Sequence, residues 1–209
     1  MKKIIFSVLA ANILILTACN NNESKTKDNG HDMNTMNTDT TQPPVKDEKE
    51  IKIVSVAFTN VDSKVAASVK TIVDHYLHIK NALTNDNGTE SANGAKAMEK
   101  AISSLDKSLF TAEQKKVYDD IEDDLKEHAE HIAKNGDDIK HQRSHFAMLS
   151  EDVYDLVKNF GAGQPIYHDH CPMYNENKGA MWLSEMKEVK NPFYGAEMLT
   201  CGTVEEVIK

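Results

Sequence analysis

Between residues 62 and 160, apolar side chains return every three or four positions in four successive stretches, and this period constrains the chain more than any other feature. In the first stretch, Val65, Val69, Ile72, Tyr76, Ile79 and Leu83 share one face of a helix over about Asp62 to Leu83. Asp62 can cap this helix, and Asn85-Asp86-Asn87-Gly88 stops it. The second, about Ser91 to Leu109, uses Met98, Ile102, Leu105 and Leu109. The third opens on Thr111-Ala112-Glu113-Gln114, a capping-box pattern, and its seam runs through Val117 or Tyr118, Ile121, Leu125, His128 and Ile132 until Asn135-Gly136 ends it. The fourth, about Asp137 to Phe160, uses Ile139, Gln142, Phe146, Leu149, Val153, Leu156 and Phe160. Short connections make successive helices antiparallel neighbours. The expected fold class is all-α, an up-down four-helix bundle over residues 51–160, with Ile51 to Val56 a β-prone lead-in.

Gly161-Ala162-Gly163 breaks the period, and the chemistry changes after it. Three of the five prolines, four of the nine methionines, the single Trp and both remaining cysteines gather between Gln164 and Lys209. Residues 161–209 therefore read as an irregular Cys/Met-rich cassette packed on the bundle. It has room for a short β-hairpin, because Pro165 to His170 and Thr203 to Ile208 are both strand-prone, although the second run also fits a terminal helix.

The other end of the chain has a different logic. Lys2 and Lys3 precede an apolar run from Ile4 to Leu16, which is shorter than the roughly 20 residues that span a bilayer and so reads as a signal peptide over residues 1–18. It ends in Leu16-Thr17-Ala18-Cys19, which resembles a bacterial lipobox. That resemblance implies cleavage before Cys19 and lipidation of its thiol. Residues 19–50 are polar and end near Pro43-Pro44, as expected of a lipid-anchored disordered tether. Within it, His31, Met33 and Met36 are either ordinary linker or a loose trap for a soft metal. The expected location is a bacterial cell envelope, on the periplasmic side or the cell surface, with the membrane met only through the anchor. A formal charge of −9 leaves no footprint for nucleic acid and no basic patch for anionic lipid.

With Cys19 committed to lipid, Cys171 and Cys201 remain. In an oxidising envelope two such cysteines pair as a disulfide by default. Their neighbours support a second reading. Cys171-Pro172-Met173 places thiol and thioether at i and i+2, on one side of an extended segment, with Pro172 stiffening the pair. Met198 and Cys201 share a face at i and i+3 in a helical turn, and Gly202 lets the chain turn after them. Soft sulfur donors select Cu(I) or Ag(I), whereas zinc sites are built from Cys, His and carboxylates. The candidate metal ligands are thus Cys171, Met173, Met198 and Cys201, with His145 or His170 as an optional addition and Cu(I) as the expected ion.

The remaining histidines have plainer readings. His141, His145 and Met148 fall on one face of the fourth helix, either as a metal pair or as a half-exposed polar face. His128 lies on the third seam with His131 beside it, and fits a hydrogen-bonded core residue. The Glu-x-x-His pattern of a di-iron bundle does not recur on two helices. No nucleophile-base-orienter set or glycine-rich phosphate loop is present, and there is one arginine, so an enzyme is not expected.

The runs Cys171-Pro172-Met173, Gly179-Ala180-Met181-Trp182-Leu183-Ser184, Asn191-Pro192-Phe193-Tyr194-Gly195 and Met198-Leu199-Thr200-Cys201-Gly202 resemble a domain of unknown function common in Bacteroidetes-type envelope proteins. That domain also occurs fused to the C-terminus of periplasmic adaptor subunits of copper/silver efflux pumps. Gln142-Arg143, Phe146 and Leu149-Ser150 are similar too, so the resemblance covers about Val61 to Lys209. It implies a helical domain associated with a heavy metal such as copper, and an efflux system as partner. The chain has no room for an adaptor's own domains, so it is expected to be a free-standing lipoprotein version. Phe193 stands where Tyr is more usual. Two functions follow: a module that binds a soft metal ion for buffering or handover to an export system, or a disulfide-stapled protein-interaction module with no metal.

Overall fold

The computed structural model describes residues 50–209. The expected signal peptide, the lipidated Cys19 and all but the last residue of the expected tether lie outside the described residues. Four long helices follow the apolar seams: α1 (Ser63–Thr84), α2 (Gly88–Ser103), α3 (Ala112–Lys134) and α4 (Ile139–Phe160). Each packs on the next, and α4 closes against α1. Asp62 caps α1 by accepting the Lys64 N–H at 2.8 Å. The Thr111/Gln114 capping box forms in full at the head of α3. Every seam residue of α1 is buried, as are Met98, Ile102, Tyr118, Ile121, Leu125, Ile132, Phe146, Leu149, Val153 and Leu156. Tyr76 stacks on Phe146 at the centre, with ring centroids 5.0 Å apart.

Two boundaries differ from expectation. α2 starts at Gly88 because Asn87, read as part of a stop, also caps the next helix by accepting the Glu90 N–H at 3.0 Å. It ends at Ser103, and a 3-10 turn (Lys107–Leu109) capped by Asp106 carries the chain on to α3. Leu105 is buried although it lies outside the helix, which is why apolar spacing alone overran the helix end.

The all-α expectation is overturned. Residues after α4 and before α1 build a four-stranded mixed sheet from β1 (Lys52–Val54), β2 (Ile166–Cys171), β3 (Ala180–Ser184) and β4 (Thr203–Ile208), in the order β1-β4-β2-β3. β2 and β3 form a hairpin that was not expected, with Cys171 opposite Ala180, and the two strand-prone runs that were expected pair as β2 and β4. β4 lies antiparallel on the other side of β2, with a bulge between His168 and Asp169. β1 joins β4 in parallel, Lys52 opposite Glu206 and Val54 opposite Ile208. The sheet was hidden because its pairings are mostly non-local, and the glycines and prolines between the strands read as irregularity rather than as turns. The β2–β3 connection is itself a left-handed turn, with positive φ at Asn175, Glu176, Asn177 and Gly179.

β3 packs across α4 and α1, burying Trp182 and Leu183. Polar side chains lock the dock. The Tyr76 hydroxyl sits 2.8 Å from the Ser150 hydroxyl and accepts the Leu183 N–H at 2.9 Å. Lys80, fully buried on α1, reaches Glu185 at 2.8 Å, and Asn81 donates to the same carboxylate at 2.9 Å. Asp169 is also buried, and neither of its carboxylate oxygens is hydrogen-bonded among the described residues. Burial pushes its carboxyl up to about 7, with Lys80 drawing it part of the way back.

Tyr76→Phe leaves the Leu183 N–H without its acceptor, and a cost of about 1–3 kcal/mol in chemical denaturation is expected. For Asp169, the folded-state pKa lies above the ordinary 3.8, so the folded protein keeps a proton that the unfolded chain gives up. Its contribution is therefore most favourable at low pH and is lost as pH rises through about 7. Asp169→Asn is expected to gain stability relative to the unsubstituted protein at pH 8 but not at pH 4, read as the difference in urea midpoints.

Candidate metal centre

The end of β2 and the loop before β4 bring Cys171 and Cys201 together, with their sulfurs 3.3 Å apart as free thiols. Cys171 is fully buried and Cys201 half-buried, so one sulfur is anchored in the core and the other reaches the surface. Burial and the neighbouring Cys171 push the Cys201 thiol up. The Tyr194 phenol is raised by burial and by both cysteines, and its hydroxyl donates to the Met173 carbonyl at 3.0 Å.

Asn191 holds the Cys201 loop in shape. It is fully buried. Its amide donates to the Cys201 carbonyl at 2.6 Å, and its side-chain oxygen accepts the Phe193 N–H at 2.7 Å and the Tyr194 N–H at 3.3 Å. Its backbone N–H meets the Leu199 carbonyl at 2.7 Å. Gly202 follows at φ +144, where a Cβ would come within 2.8 Å of the Trp182 ring and 2.9 Å of the His170 carbonyl. Only glycine fits that close approach. Asn-Pro-Phe-Tyr-Gly and Trp182 thus act as the corner and plug that fix the second thiol.

The structure places the other expected ligands in different ways. β2 ends at Cys171, so Met173 is not part of an extended segment; its backbone is helical and the residue is 45% exposed. Met198 opens a turn, with the Cys201 N–H bonded to its carbonyl at 3.0 Å, but its backbone is not helical (φ −143, ψ 55), and the residue is half-buried. His170 alternates with Cys171 on β2 and so faces the other side of the sheet. There it lines an open cleft with His168, Tyr154, Met181 and Glu206. His168 stacks on Tyr154, and the Tyr154 hydroxyl donates to Glu206 at 2.6 Å.

His145 belongs to a second cluster, between α3 and α4. His131 Nδ1 lies 3.4 Å from His141 Nε2, and His128 Nδ1 lies 3.3 Å from His145 Nδ1. One ring nitrogen from each of His131, His141 and His145 falls within 4.8 Å of the others. The His131 and His145 rings stack with centroids 4.1 Å apart. Burial first, then the three neighbouring imidazoles, pushes His145 down to about 4. Sequence reasoning left His141 and His145 open as a metal pair or a polar face and read His128 as a seam position, without joining the two helices. The available signal was their placement about the Asn135-Gly136 turn: in an antiparallel helix pair, residues equally distant from the turn meet.

Residues 72–165 match a family model described as "Protein of unknown function (DUF3347)". No curated protein and no solved structure matches the chain. These residues therefore carry a domain of unknown function; the match takes in all four clustered histidines and stops before Cys171 and Cys201. Among the described residues, no helix is long and apolar enough to cross a membrane.

Asn191→Ala removes an amide that bonds the loop at both ends. The expected outcome is a loss of about 3 kcal/mol, one lost acceptor set with buried N–H groups left over, together with faster alkylation of Cys201 by a maleimide than in the unsubstituted protein, because the loop carrying it is released.

Proposed function

We propose that this chain is a lipid-anchored protein of a bacterial cell envelope that binds a soft metal ion, Cu(I) before others, and buffers it or hands it to an export system. The observation that carries this reading is the approach of two free thiols, from elements thirty residues apart, to 3.3 Å. Thiolates are the soft donors that prefer Cu(I). A pair with one buried member and one half-exposed member suits an ion that must enter and leave. Cys171 and Cys201 are the principal ligands, and Met173 and Met198, close to them in sequence, are the weaker ones. The resemblance of the cassette to the domain fused to copper/silver efflux adaptors supports the same cargo and an efflux system as partner. In this reading the chain is a carrier and not an enzyme. The leader ending in Leu16-Thr17-Ala18-Cys19 supports the anchor.

The same distance favours one alternative. Sulfurs this close need only a small movement to reach the roughly 2.05 Å of a disulfide, and the cassette would then be a stapled surface for another envelope protein.

The test is competitive Cu(I) titration against a chromophoric chelator under reductant. Cys171→Ser or Cys201→Ser is expected to weaken binding by more than the roughly 10–100-fold typical of an outer partner. Met173→Leu or Met198→Leu is expected to weaken it less and to leave the fold nearly unchanged. Equal affinity in all four variants rejects the site. Absence of titratable thiols in protein isolated without reductant, persisting under mild reductant, selects the disulfide reading.

A further inference from the structure

We propose that His131, His141 and His145, with the adjoining His128 as a fourth donor, form a second, separate metal site, for a divalent ion of the zinc class. This does not rest on the thiol pair. His128 and His131 are three residues apart on α3, and His141 and His145 are four apart on α4, so each pair shares a helix face. The α3–α4 turn is only four residues long, from Asn135 to Asp138, and sets the two faces against each other. Asp138 caps α4 by accepting the His141 N–H at 3.0 Å, which fixes where the first α4 imidazole starts.

The spacing of three of these rings fits metal ligation, since one ring nitrogen from each of His131, His141 and His145 lies within 4.8 Å of the others, and His128 adjoins His145. Metal–nitrogen bonds of about 2.0–2.1 Å in a tetrahedron place ligand nitrogens about 3.3–3.4 Å apart. The two cross-helix nitrogen pairs stand at 3.3 and 3.4 Å. His128 adds a second observation. Its Nδ1 lies 3.3 Å from His145 Nδ1, while its Nε2 points to Asp152 Oδ2 at 3.9 Å. That oxygen is buried and has no hydrogen-bond partner among the described residues. A carboxylate behind the far nitrogen of a ligating imidazole orients the ring and raises its basicity, as is common at metal sites. Asp124, Glu127 and Glu151 lie near His128 as well and favour a cation.

Donor chemistry separates the two sites. An all-imidazole set suits zinc and its borderline neighbours, whereas a thiol pair suits a soft monovalent ion. One domain would then hold two ions of different softness in two places.

The test uses the full chain carrying Cys171→Ser and Cys201→Ser, so that sulfur is silent, with Co(II) as an optical stand-in for Zn(II). One equivalent of Co(II) is expected to give the visible bands of a four-coordinate ion without sulfur-to-cobalt charge transfer, and one equivalent of Zn(II) to bleach them. His131→Gln and His141→Gln, one on each helix, are expected to abolish the bands; His75→Gln, outside the cluster, is expected to keep them. As a second readout, Zn(II) is expected to raise the melting temperature of the chain with its cysteines intact, and this rise to vanish in both cluster variants while their metal-free melts stay cooperative. Absence of the bands in the thiol-free chain, or bands and thermal shift that persist in both cluster variants, overturns the proposal.

Discussion

The single arginine of the chain fixes where the sheet and its cassette sit on the helices. From α4, Arg143 donates to the Pro192 carbonyl at 2.8 Å, to the Leu83 carbonyl near the end of α1 at 3.0 Å, and to the Asp86 carboxylate at 2.6 Å. Asp86 uses its other oxygen to accept the Ala196 N–H at 3.0 Å. That N–H and Arg143 hold the Asp86 carboxyl below the usual carboxylate range. Two helices and the loop between Asn191 and Cys201 are thereby tied at one point. A guanidinium with several donors in one plane can do this; a lysine ammonium has no such fork. The position of Cys201, and so its distance from Cys171, depends on this knot together with Asn191.

The two donor clusters are held by different kinds of support. The histidines stand on long helices whose seams are filled by Leu125, Ile132, Phe146 and Leu149, so their geometry follows from packing. The thiols stand at a strand end and in a loop, and depend on a few directed hydrogen bonds and on Gly202. Rigid helices suit an ion that stays; a loop-borne half-exposed sulfur suits one that is exchanged.

How far the sequence could be read depended on whether a feature was local. The four helices were legible because capping and apolar spacing act within a few residues: Asp62, the Thr111/Gln114 box and the Gly161 stop all appear where expected. The sheet was only partly legible. Pro165 to His170 and Thr203 to Ile208 marked β2 and β4 as strand-prone, but β3 was not read as a strand, and nothing near Lys52–Val54 announces a parallel partner at the far end of the domain. The two cysteines were legible as a pair from composition alone, since few soft ligands compete for the role. Met173 was misplaced in conformation because the strand ends one residue before Pro172. The histidine cluster was legible only in part: His141 and His145 showed as a pair on one helix face, but their meeting with His128 and His131 depends on how two helices oppose each other across a turn.

The parallel pairing of β1 with β4 has a consequence for how the domain comes together. β1 is three residues long and its strand partner is β4, whose Glu206, Val207 and Ile208 emerge only after the bundle and the hairpin have been made. Bringing such distant segments together carries a loop-closure cost that local helix pairing avoids. The helices can therefore assemble before β1 pairs with β4. The same seam is a short edge with few contacts, the kind of place where a native domain opens locally before it unfolds as a whole. A pull arriving along the chain from the N-terminal side meets this seam first, so β1 acts as a latch between the load and the helices behind it.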